Sequence, residues 1–275
     1  MFMSSFAGGD KDVHYQAVSN CQKHVGILSG YRKPSASFTS GVLSIFQLHN
    51  ETMNIWTQII PTVYFIIELI LNFFHVGERF LLIYLVTAVV FLFTSSCAHT
   101  FSCLSPRARH VCFFCDYIGI TLYSFGFGLN LCDLFLFTSV LFCICGTHLS
   151  CQTRFWKPSF MRNIVRMGAF SINVIYLALP IIWRSFSCRY LTNGKFDIFG
   201  HSHQIFHVLI AFASVTQYYA LRTDLQERNV KLKLMSHAPS IPLSLFCLAL
   251  VVLCNIIIFL KFYKRLCRTI KSKTL

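Results

Sequence analysis

The residues best equipped for chemistry are three histidines in two distant stretches of chain, accompanied by a serine and an aspartate. His203 and His207 stand four apart, which places both imidazoles on one helical face, one turn from each other and within reach of a single ion. Ser95 and His99 have the same spacing at the end of an apolar run, and Asp116 lies near the beginning of the next. Three imidazoles and an open fourth position suit Zn²⁺, which lowers the pKa of a water toward about 7. Asp116 would orient or deprotonate that water, and Ser95 would hydrogen-bond it or a substrate carbonyl. Taken singly, a histidine pair reads better as interfacial or bundle-satisfying polar groups, because H-x-x-x-H is a common pattern; the residues combined reverse that only modestly. His201, two residues before His203, projects from another side of the helix and is a poor ligand. His49, His148 and His237 fall in loops or at boundaries.

What must position these groups is a set of membrane helices. Of 275 residues, 55% are hydrophobic and only 12% charged, and the mean hydropathy is +0.59. That is about half the charge of a soluble domain, too little to cover its surface. Apolar runs of about 20 residues, each long enough to cross a ~30 Å hydrocarbon core, recur along the chain. Their approximate bounds are residues 54–74, 80–99, 111–128, 129–146, 161–183, 200–221 and 241–262. The expectation is an all-α polytopic bundle of about seven helices. A cytosolic segment over residues 1–51 precedes the bundle over 52–263, and a basic tail over 264–275 follows it. No cleavable signal peptide is visible in the first 40 residues. Pro61 and Pro180 are kink points of a kind that bundles tolerate.

The 24 Lys and Arg outnumber 10 Asp and Glu, but they sit in short segments between apolar runs rather than in one patch. That pattern suits anionic lipid and excludes nucleic acid as a partner. With seven crossings, fourteen basic residues fall on the N-terminal side and ten on the other. The bias favours a cytosolic N-terminus only weakly, and Lys261, Lys264, Arg265, Arg268, Lys271 and Lys273 land on the wrong face.

Other residues have milder readings. Glu68, in the middle of the first span, must pair or face a cavity, and a packing or ion-pair role is preferred to catalysis. Asp133 belongs near a tight turn. The thirteen cysteines have no framework spacing, so Cys112 and Cys115 are read as buried thiols, and Cys267 as a candidate for palmitoylation. Asn50-Glu51-Thr52 matches a glycosylation pattern, but Asn50 or Thr52 as a cap, with Glu51 at the positive end of the helix dipole, is preferred.

The blocks SIFQLHNETMNIW (44–56), SSCAHTF (95–101) and GHSHQIFHV (200–208), with ARHVCFFCDY (108–117) and GKFDIFG (194–200) in support, resemble the signatures of the progestin and adiponectin receptor family. The chain looks like its membrane progestin receptor branch, nearest the gamma type. That resemblance implies an adiponectin-receptor-like bundle in the plasma membrane, its N-terminus in the cytosol. It implies zinc held by the equivalents of His99, His203 and His207, with those of Ser95 and Asp116 beside it. It also implies a progesterone-type steroid or sphingolipid ligand and rapid non-genomic signalling, including in oocytes, with G protein coupling as a candidate output. A distant likeness to alkaline ceramidases implies a second activity, hydrolysis of ceramide-like amides. The oligomeric state is not indicated.

Two departures stand out. Gln58 occupies a position where the family usually has histidine. The chain is also shorter between Asp116 and Arg154, and lacks a span between Trp183 and Gly194. Five full crossings before Gly200 would put His203 and His207 on the face opposite His99, about 30 Å away. Either one apolar segment is a re-entrant or surface helix, the run at 129–146 being the first suspect, or this is a variant chain whose site is damaged, its ligands split between the two faces.

Overall fold

The computed structural model describes residues 27–32, 37–73, 79–128, 133–157, 159, 161–162, 164–166, 168, 202–231 and 241–272. The fold is all-helical, a polytopic membrane bundle. A short helix α1 (Phe38–Leu43) runs into a 3-10 turn (Ser44–Phe46). The long helices are α2 (Thr52–Phe73), α3 (Arg79–Phe101), α4 (Pro106–Gly128), α5 (Asp133–Thr153), α6 (Ser202–Lys231) and α7 (Ile241–Lys271). The stretches Thr52–Phe73, Leu81–Phe101, His203–Thr223 and Pro242–Lys271 are long and apolar enough to cross a membrane. Side chains such as Ile67, Phe212 and Ile257 stay exposed on their outer faces, as helices solvated by lipid require. Helix α7 runs on through most of the segment read from the sequence as the basic tail. Most of the run at 161–183, with Pro180, His201 and His237, lies outside the described residues.

Local chemistry explains how the helices start and bend. Ser105 accepts a hydrogen bond from the Ala108 amide at 3.0 Å, and Pro106 opens α4. Together they form an N-cap followed by the residue that lacks an amide proton. Inside α2, Pro61 leaves the Thr57 carbonyl without its usual donor. The Gln58 amide donates to that carbonyl at 3.2 Å, so the glutamine that departs from the family pattern repairs the helix at its proline.

Helices α3 and α4 pack closely because α4 offers glycines. A Cβ on Gly119 would collide with Thr94 Oγ1, and one on Gly126 with Thr87 Oγ1. Two glycines two turns apart form a flat strip against which a neighbouring backbone can lie. The strip fixes the depth of α4 against α3 and, with it, the position of Asp116.

Two apolar clusters fill the interior. Phe65, Tyr84, Leu85, Leu92 and Tyr218 join α2, α3 and α6. Ala98, Phe114, Tyr117, Cys151 and Phe262 join α3, α4, α5 and α7.

One end of the bundle collects the starts of α2, α4 and α6 and the finishes of α3, α5 and α7. Glu51, just before α2, meets His99 near the finish of α3, and His99 meets His207 near the start of α6. His110, early in α4, stacks on Phe155, just past α5, and Arg265, late in α7, donates to Gln152 at 2.7 Å. Thus α5 finishes and α6 begins at the same end. This overturns the expectation of a split site, whose premise was an odd number of crossings between Thr153 and Ser202. At the 129–146 run the helix starts at Asp133, continues to Thr153 and has 21 residues, with Val140–Thr153 as an apolar helix shorter than the four spans. The same arrangement brings Lys261, Lys264, Arg265, Arg268 and Lys271 to the histidine end, removing the charge anomaly.

Candidate metal centre

His99 lies in the last turn of α3, whose carbonyl terminus is held from outside the helix. The Arg32 guanidinium donates to the Thr100 and His99 carbonyls at 2.8 and 2.5 Å and to Ser44 Oγ at 2.8 Å. A cation on the last carbonyls of a helix satisfies groups that have no intrahelical partner and complements the dipole. His203 and His207 lie one turn apart at the start of α6, which Gln204 ties to the Asn50 carbonyl at 3.4 Å.

The three imidazoles converge. His207 Nε2 is 3.1 Å from His99 Nε2 and 3.1 Å from His203 Nε2, and the three ligating nitrogens lie within 4.8 Å of one another. His99 and His207 are buried while His203 is exposed. Ligands at about 2.0–2.1 Å in a tetrahedron stand roughly 3.3–3.4 Å from each other, so the two separations from His207 are close to those of nitrogens around zinc. The protonation pattern agrees. Glu51 Oε2 lies 2.8 Å from His99 Nδ1, and an ionised carboxylate can only accept, so the proton sits on Nδ1 and Nε2 presents a lone pair toward the other rings. Asn54 donates to the same carboxylate oxygen at 2.6 Å. The donor set therefore fits a metal ion.

Ser95 and Asp116 are buried, and the Asp116 carboxyl lies in the field of His99 and beside Ser95. Ser95 Oγ and one Asp116 oxygen have no hydrogen-bond partner, nor do Asn54 Oδ1 and Gln58 Oε1 on α2. Buried polar atoms are nearly always satisfied, and exceptions concentrate where a ligand, ion or water belongs.

Glu51 is the residue that reading the sequence missed. It was taken as a dipole partner for α2, whereas its carboxylate holds the tautomer of a histidine 48 residues away. The signal available was its place in the 44–56 block, three residues before Asn54. His49, which had no evident role, proves buried, accepting from the Glu51 amide at Nδ1 and donating from Nε2 to the Ser44 carbonyl, both at 3.0 Å. Burial and the Arg32 charge pull its pKa down to about 4. His148 lies away from the cluster, against the Phe262 ring. Glu68 has its partners at the far part of α2, and Cys112, Cys115 and Cys267 are free thiols. Asn50 is buried and its amide donates to the Gly30 carbonyl at 2.9 Å. Thr52 links to both His49 and Gln47 through its hydroxyl.

Comparison with known proteins decides the lineage. Residues 46–188 match the family described as haemolysin-III related. The chain belongs to that family. Among relatives, it is 33% identical to membrane progestin receptor gamma of Homo sapiens over 72% of this chain and 77% of that one. It is 31% identical to the human membrane progestin receptor delta over 88% and 87%, and 32% identical to membrane progestin receptor gamma-B of Danio rerio over 78% and 82%. The progestin and adiponectin receptor resemblance is thereby established, with the gamma and delta types at similar distances. The chain is a multi-pass membrane protein of this family.

Proposed function

We propose that this chain is a membrane receptor for a progesterone-type steroid or a related carbonyl-bearing lipid, signalling non-genomically from the plasma membrane, with zinc held by His99, His203 and His207. The observation that carries the reading is the convergence of three Nε2 atoms, one of them backed by Glu51, in a chain whose relatives are membrane progestin receptors. Zinc would supply Lewis acidity and tie α3 to α6. Ser95 would donate to a ligand carbonyl, and Asp116 would hold or take a proton beside it. The cytosol is the compartment assigned to the histidine end, because the basic segments around Arg32, Arg107, Arg154 and Lys264 gather there.

A second reading is favoured by one observation, the unpartnered oxygens of Ser95 and Asp116 beside His99. A carboxylate free to move a proton is what hydrolysis of a ceramide-like amide needs.

Purified protein and Asp116→Asn separate the two. Under the receptor reading, zinc content stays near one equivalent and radiolabelled progesterone binds both proteins within about threefold, a difference of about 0.6 kcal/mol. Release of sphingoid base from ceramide by the wild type, abolished in Asp116→Asn, together with no saturable steroid binding, would reverse the assignment. Metal-free protein that binds steroid normally would remove zinc from it.

A further inference from the structure

Beyond the histidine centre, the same end of the bundle holds a cluster of arginines. Arg154 follows α5, and Arg162 and Arg166 lie on the next helical turns. Arg166 is folded back, its Nε donating to Thr153 Oγ1 at 3.0 Å. Arg154 lies with its guanidinium carbon 4.4 Å from the centre of the Phe113 ring, over which Arg109 also lies at 5.4 Å. The three guanidiniums repel one another: Arg154 acts on Arg162, and both act on Arg166.

Such a gathering is costly in a partly dehydrated place unless something negative offsets it. Among the described residues the ion pair found is His99 with Glu51, and no carboxylate lies within salt-bridge distance of Arg154, Arg162 or Arg166. Asp116 is felt by Arg154 through space, without a hydrogen bond between them. The Nε atoms of Arg154 and Arg162 are enclosed and have no acceptor. A buried guanidinium N–H without a partner in a native fold marks a missing ligand atom. Planar guanidinium forks on one turn and one short segment, close enough to feel one another's charge, are of the type that binds a tetrahedral oxyanion with several acceptor oxygens. Trp156 and Lys157, both exposed beside the cluster, are the residue types that settle at the headgroup level of a bilayer.

We propose that Arg154, Arg162 and Arg166 form a phosphate-group site at the membrane interface, separate from the histidine centre and one aromatic ring away from it, since Phe113 also packs edge-on against His99 at 5.6 Å. Its occupant is a phosphate group, presented by an anionic lipid headgroup or free in solution. The site stands whether or not the receptor reading does.

The test uses the full chain in nanodiscs of phosphatidylcholine, with and without phosphatidylglycerol, and in detergent with and without inorganic phosphate, read by thermal melting. Anionic lipid should raise the midpoint by about 3 °C or more, and Arg162→Gln should abolish the rise while leaving zinc content unchanged. In neutral lipid, Arg162→Gln should melt no lower than the wild type, because the variant relieves repulsion; a merely structural arginine would lower it. Lys264→Gln with Arg268→Gln, which removes tail charge, should leave the rise intact. A phosphate effect in detergent equal to the lipid effect assigns the site to a soluble anion. The proposal is overturned if neither probe shifts the midpoint, or if the tail variant loses the rise as fully as Arg162→Gln does.

Discussion

Helix α2 carries a buried or half-buried carboxylate at each end, and their surroundings are opposite. Glu51, at the start, touches His99, and the atoms around it include Asn54 Oδ1, Gln58 Oε1, Ser95 Oγ and an Asp116 oxygen that nothing satisfies. Glu68, about 25 Å along the helix, accepts from Tyr218 at 2.7 Å and from Asn72 at 3.3 Å. Around it, Tyr84 donates to the Ser214 carbonyl at 2.8 Å and Tyr123 donates to Gln217. Both carboxylates join α2 to partners from α3 or α6, so connectivity does not distinguish them. The difference is in completeness. A closed network holds helices together, whereas a network short of donors is shaped to receive something.

The largest expected effect breaks the comparison at Glu51. Glu51→Gln should weaken zinc binding by about 10–100-fold, the usual consequence of losing the carboxylate behind a ligating histidine, as read by competition with a chelator. Glu68→Gln should leave that affinity unchanged. Equal losses at both positions would show that the two carboxylates act only through helix packing.

At the closed end the expected effect is on stability. Tyr218→Phe removes a donor from a carboxylate in a low-dielectric setting and should destabilise by about 1–3 kcal/mol, seen as a lower melting midpoint at full zinc occupancy. If the variant instead lost zinc with an unchanged midpoint, the far end would be coupled to the metal centre rather than independent of it.

Much of this contrast was legible in the sequence, and its limits are physical. The i, i+4 spacing of His203 and His207, and of Ser95 and His99, placed the right groups on the right faces because a helix fixes that geometry locally. What spacing could not provide was the level at which distant helices meet. Counting crossings put His99 and His203 in opposite leaflets, whereas α5 finishes where α6 begins. Glu51 was hidden for the same reason, since its partner is set by tertiary packing. Gln58 stood out only as a departure from the family's histidine, and its side-chain amide serves the carbonyl freed by Pro61, a contact that needs the neighbouring proline to be read as part of the same device.

The smallest effect sharpens the comparison from the loop side. His49 accepts from the Glu51 amide through Nδ1, so it must be neutral there, and protonation would set a proton against that amide and a charge near Arg32. Its pKa is about 4 in the fold against 6.5 in the unfolded chain. The unfolded state therefore binds the proton more readily between those values, and stability present above 6.5 is lost as pH falls toward 4. Between about pH 7 and about pH 5.5 this contributes a loss of about 1 kcal/mol. His49→Gln should melt with a shallower pH dependence than the wild type over that range, the difference amounting to a few degrees. Tyr218→Phe, which alters only the closed end, should keep the wild-type slope. Parallel pH profiles for His49→Gln and the wild type would show that His49 takes up its proton as readily in the fold as in the unfolded chain, and that the turn leading to Glu51 is held by Thr52 and Gln47 instead.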